Sequence, residues 1–105
     1  MVFVDEGKEI KIGDKTFIIH RAPATVAYDV AIRHQIATDK QDPDEMVNCL
    51  LKLLKYVEVV LVDGRKVTLE NQEIINQHLQ SPQDLLALQR EAVSVNFTSS
   101  ASENH

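Results

Sequence analysis

The chain has 105 residues, 44% of them hydrophobic and 26% charged, and carries a formal net charge of −5. That length suits a single domain, and that composition belongs to a globular chain rather than a disordered one. No unbroken apolar run exceeds four residues, as in Val59 to Val62, against about 20 for a membrane-crossing helix, so a membrane is not expected as a partner.

The charge is unevenly placed. From Leu69 onward five acids (Glu70, Glu73, Asp84, Glu91 and Glu103) face one base, Arg90. Phosphate backbones would repel that third of the chain, so nucleic acid is not an expected partner, although a local basic contact stays open. The amino terminus lacks the basic start and apolar core of a signal peptide. The single cysteine, Cys49, cannot close an internal disulfide. Both features fit the cytoplasm.

Residues 9–19 read as a β-hairpin, because Gly13-Asp14 is a two-residue loop with glycine first, the preference of a type II′ turn. Pairing Ile12 with Lys15 brings Ile10 opposite Phe17 and sets Ile10, Ile12, Phe17 and Ile19 on one side of the ribbon. A two-stranded ribbon is marginal alone in water, so this face is expected to pack on helices. Pro23, Pro43 and Pro82 each mark a helix start, since proline in the first turn sacrifices no hydrogen bond. Asp42 with Glu45, and Ser81 before Pro82, add capping side chains. The first helix, about 23–36, carries Val26 and Val30 together with Tyr28, Ile32 and Ile36. It ends at the polar run Thr38-Asp39-Lys40-Gln41.

The second helix starts at Pro43 and is expected to run to about Leu61, with Gly64 beyond its end; the alternative is a hairpin from Val59 to Leu69 turning at Asp63-Gly64, which would pair Val60 with Val67. The stripe Met46, Leu50, Leu53, Leu54, Val57, Leu61 favours the helix; the β-branched cluster Val57, Val59, Val60, Val62 favours the hairpin. On the helical reading, Val47, Leu51 and Val60 widen the apolar stripe past what one buried face holds. A short helix at about 71–79 turns Ile74, Ile75 and Leu79 inward. The last helix, about 82–95, has Leu85, Leu88, Ala92 and Val95 on one stripe, with Leu86 and Val93 beside it. The polar stretch 98–105 is expected to be disordered. The expected fold is α+β, mainly α: one domain over residues 1–97, with an amino-terminal hairpin packed on about four helices.

Little in the chain points to chemistry. No two of His20, His34, His78 and His105 share the i, i+3 or i, i+4 spacing of a helical metal or acid/base pair. Cys49 lies among leucines, where thiols are usually inert; as a nucleophile it would need a base such as His78 brought to it by the fold. The acids Asp39, Asp42, Asp44 and Glu45 lack the glycine and terminal glutamate of an EF-hand loop. No glycine-rich phosphate loop or nucleophile elbow is present. The reading is therefore of a non-enzymatic binding protein with no catalytic residue, metal or cofactor. Its surplus apolar side chains serve self-association or a client, through Val47, Leu51 and Leu54 on the second helix and Leu86, Val93 and Phe97 at the last.

The order of elements resembles that of small phage tail assembly chaperones. The resemblance rests on Phe17-Ile-Ile-His-Arg-Ala-Pro-Ala24 entering a helix and on the leucine-rich Lys52-Leu-Leu-Lys-Tyr-Val57. It continues through Val62-Asp-Gly-Arg65, Leu69, Ile75 with Leu79, a proline-led helix with Leu85 and Leu88, and Val95-Asn-Phe97 before a polar tail. It spans about residues 8–97 and lies in the order of short motifs rather than in any one. It implies a protein of the bacterial host cytoplasm that shields the tape measure protein while tail tube subunits polymerise around it, and that is absent from the mature virion. Other readings are a structural tail component, such as a tube or completion protein, or a small bacterial regulator or antitoxin.

Overall fold

The computed structural model describes residue 3 and residues 6–97; the expected disordered tail at 98–105 lies outside the described residues. The chain starts with strands β1 (Lys8–Ile12) and β2 (Lys15–Ile19). Their antiparallel register pairs Ile12 with Lys15 and Ile10 with Phe17, as the turn and the alternation predict. Gly13 sits at φ +64, a backbone region that a Cβ disfavours and that this tight loop requires.

Two helices follow, α1 (Ala24–Asp39) and α2 (Pro43–Leu54). Pro23 precedes the first turn of α1 and gives it no side-chain cap. Pro43 opens α2, and the Asp42 carboxylate accepts the Glu45 backbone N–H at 3.2 Å, relieving one of the unpaired donors of the first turn. Between the helices the chain reverses at Gln41, whose φ is +55, while the Asp42 backbone N–H donates to the Ala37 carbonyl at 2.9 Å. α1 runs three residues past the expected boundary.

The second helix does not reach Leu61. It stops at Leu54, and the chain continues as β3 (Val57–Val60) and β4 (Lys66–Thr68), so the hairpin reading of this segment is the correct one. Its register pairs Val59 with Val67 and Val60 with Lys66, one residue away from the expected Val60–Val67 pair. The physical reason lies across the sheet. A helix through Val57–Leu61 would leave the second edge of β2 with unpaired N–H and C=O groups, a costly state for a strand beside the core. As a strand, β3 pairs Phe17 with Val59 and Ile19 with Val57, and its β-branched residues suit the pleated surface. The four strands form one antiparallel sheet in the order β1-β2-β3-β4, with β1 and β4 at its borders.

α3 (Gln72–His78) and α4 (Pro82–Phe97) complete the fold, which is α+β and mainly α. The Asn71 side chain accepts the Ile74 N–H at 2.9 Å and the Ser81 hydroxyl accepts the Asp84 N–H at 3.1 Å, so each helix has its own cap. One core joins the layers: Phe17, Ile19, Val57 and Val59 from the sheet meet Val30 of α1, Leu53 and Leu54 of α2, and Leu88 of α4, all of them fully enclosed. Asn96 locks the ends together. Its side chain accepts the Ala22 backbone N–H at 2.9 Å and donates to the Ala92 carbonyl at 2.8 Å.

Candidate interaction surface

Apart from Val62, fully exposed in the turn between β3 and β4, the exposed large apolar side chains among the described residues lie on three helices. On α2, Val47 is 51% exposed, and Leu51 is half-buried beside a cleft. Leu54, expected at a partner interface, is completely buried and belongs to the core. The early end of α2 explains that correction: the chain leaves the helix at Leu54, and its last turn enters the core where α2 packs on α1 and α4. Leu86 and Phe97 of α4 are exposed and Val93 is half-buried. Seven and eleven residues separate Val93 and Phe97 from Leu86, which keeps the three on one stripe of the helix.

The broadest apolar exposure lies on α1, where Tyr28 is 70% exposed and Ile32 and Ile36 are about half exposed. They recur every four residues and so form a line about two turns long. Val30 and Ala37 of the same helix are buried. Tyr28 lies two residues from both Val26 and Val30, about 200° around a helix at 3.6 residues per turn. The helix therefore has apolar residues on opposite sides. This surface was not among the expected contact residues. Its signal was present in the two apolar lines Val26/Val30 and Tyr28/Ile32/Ile36, which a single buried face cannot contain.

Polar groups next to the line are satisfied within α1. Arg33 Nε donates to Asp29 at 2.9 Å, a contact that raises the guanidinium pKa, and Gln35 donates to Asp39 at 3.0 Å. The Thr38 hydroxyl donates to the His34 carbonyl. Such a rim holds its side chains in place without demanding a charged partner.

The groups capable of chemistry are engaged elsewhere. The buried Cys49 thiol faces Glu45 at 3.6 Å, and burial first, then the hydrogen bond to Glu45, pushes its pKa up. A nucleophilic thiol needs the opposite shift. His78 meets Lys15 instead, with its ring nitrogen 3.1 Å from the ammonium; burial and then the Lys15 charge lower its pKa. His20 is buried, with its ring 2.8 Å from a Glu58 carboxylate oxygen and stacked on Phe3 at 3.7 Å between centroids. Among the described residues no group of three or more His, Cys, Asp and Glu side chains is placed to hold a metal ion. No helix there is long and apolar enough to cross a membrane.

Comparison with protein-family models, with curated proteins and with solved structures returns no match.

Proposed function

We propose that this chain is a phage tail assembly chaperone that binds and shields an apolar helical client, the tape measure protein, while the tail tube assembles. The observation that supports this reading is the exposed line Tyr28, Ile32, Ile36 on a helix whose other side is already anchored in the core. A long helix with its own apolar stripe would lie along such a line through i, i+4 contacts. Fully burying a side chain of this size is worth about 1.5–3 kcal/mol, so finishing the burial of three partly covered ones gives a weak contact. Weak contacts repeated along a long client add up while each remains reversible.

Co-expression with a tape measure protein, the proposed client, followed by affinity capture in mild salt, tests the proposal. The expected result is enrichment of the tape measure protein, reduced when Tyr28 and Ile32 are both changed to Ser. Absence of enrichment refutes it. Mass spectrometry of purified virions separates this reading from a structural tail component: a chaperone is missing from the finished particle, a tube or completion protein remains in it.

A further inference from the structure

The last turn of α3 meets the tip of the β1–β2 hairpin through a polar contact. Lys15 opens β2 just after the Gly13-Asp14 loop, His78 closes α3, and the Lys15 ammonium lies 3.1 Å from His78 Nδ1. An ammonium can only donate. Nδ1 therefore accepts, which a neutral ring with its proton on Nε2 can do and an imidazolium cannot. The surroundings of this contact are loosely filled. A cleft of about 320 Å³ opens beside it toward Val59, Val60, Leu61 and Val62, and another of about 180 Å³ toward Ile12, Leu79 and Asp84; Lys15 and His78 line both. Both side chains are half-buried. α3 is also lightly anchored: α1, α2 and α4 pack closely on one another or on the sheet, whereas α3 packs closely on no other element among the described residues. Its apolar hold consists of Ile74 and Ile75, with Leu79 just past its end.

We propose that the Lys15–His78 contact is an acid-sensitive latch: a neutral His78 ties the end of α3 to the hairpin tip, and a proton on Nδ1 sets two cations face to face and releases α3. Protonation removes the lone pair that the ammonium uses and replaces attraction by like-charge repulsion. The flanking clefts give the displaced Lys15 side chain and water room, so release needs no rearrangement of Phe17, Leu53 and Leu88 in the core. The other charged groups facing the pair are Asp14 of the hairpin turn and Asp84 of α4, which line the smaller cleft without hydrogen-bonding to His78. β3 and the residues after it bring only apolar side chains. Glu73, on α3 itself, stands five positions away, about 140° around the helix. Burial first, and the Lys15 charge second, hold the His78 pKa below its ordinary value of 6.5. The closed form thus takes up the proton less readily than the released form. The released fraction is therefore constant above the ordinary value and grows as pH falls below it, until the ring of the closed form titrates as well. The latch does not depend on the chaperone reading, since it involves neither the α1 line nor a client.

Two NMR readouts on the full chain test it: amide hydrogen exchange, corrected for the intrinsic rate at each pH, and titration of the His78 ring C–H resonance. The α3 amides to follow are those of Ile75 and Leu79, which donate to the Asn71 and Ile75 carbonyls. From about pH 7.5 to about pH 5.5 their opening should grow several-fold, with a ceiling of about tenfold per pH unit for one proton. His78→Gln keeps a side-chain acceptor but cannot titrate, and should flatten that growth; His34→Gln, on α1, should leave it intact. Lys15→Met should speed α3 exchange at neutral pH and move the His78 titration up toward the ordinary histidine value. Parent exchange that does not grow on acidification overturns the proposal, a result that needs no variant to fold. Equal growth in His78→Gln, or a His78 titration unmoved by Lys15→Met, also overturns it. A His78 titration above the ordinary value does so too, because Asp14 or Asp84 would then be holding the imidazolium in place. Equal growth at the core amides of Phe17 and Leu53 counts against it as well, since the opening would then be global rather than a release of α3.

Discussion

α1 and α2 are consecutive, joined by a short turn, and distribute their apolar residues in opposite ways. α2 is capped by Asp42 and gathers Cys49, Leu53 and Leu54 on one buried side. α1 has no side-chain cap, buries Val30 and Ala37, and still presents Tyr28, Ile32 and Ile36 to solvent. Hydrophobic burial follows area removed from water, so the inward side of α2 contributes its apolar area to folding. The outward side of α1, where Tyr28, Ile32 and Ile36 are only partly covered, contributes less and leaves apolar area in solvent. The two helices thus divide their apolar area differently between core and solvent.

That division can be broken most directly at Leu53. Leu53→Ala leaves a cavity in the buried core and should lower stability by about 2–5 kcal/mol, read as a shift in the denaturant midpoint. A loss below about 1 kcal/mol would show that the inner side of α2 is not the seam of the core. Asp42→Ala removes the cap hydrogen bond to Glu45 and should cost about 1 kcal/mol, measured in the same way; an unchanged midpoint would make the cap incidental. The smallest effect is expected on α1. Tyr28→Ser with Ile32→Ser should stay within about 0.5 kcal/mol per site of the parent, while binding of an apolar surface dye falls. A loss as large as that of Leu53→Ala would mean that the outer line supports the fold after all.

How far each region could be read from the residues depends on the range of the forces that decide it. The β1–β2 register was legible because turn chemistry and alternation act over a few residues and agree: Gly13-Asp14 sets the loop, and Ile10 opposite Phe17 sets the face. The caps at Asp42 and Ser81 were legible for the same reason. Val57 to Leu61 was not, since its spacing continues a helical stripe while its branching suits a strand. The deciding partner, β2, lies about 40 residues earlier in the chain, as the Phe17–Val59 pair shows. Misplacing that boundary carried Leu54 from the core to the supposed interface. Of the expected contacts, Val47, Leu86 and Phe97 are exposed and Leu51 lines a cleft. The α1 line was visible as two opposed apolar rows, but which row turns inward is fixed only by the packing of α1 on α2.

The borders of the sheet bear on how such a molecule can associate. β1 sets Lys8, Glu9 and Lys11 along one border, with Lys8 also held to Glu91 of α4 at 3.1 Å, and the opposite border, β4, is only three residues long. Charged or very short margins are poor templates for an added strand. Both margins of the sheet therefore disfavour strand-to-strand growth, whatever the exposed helical side chains contact.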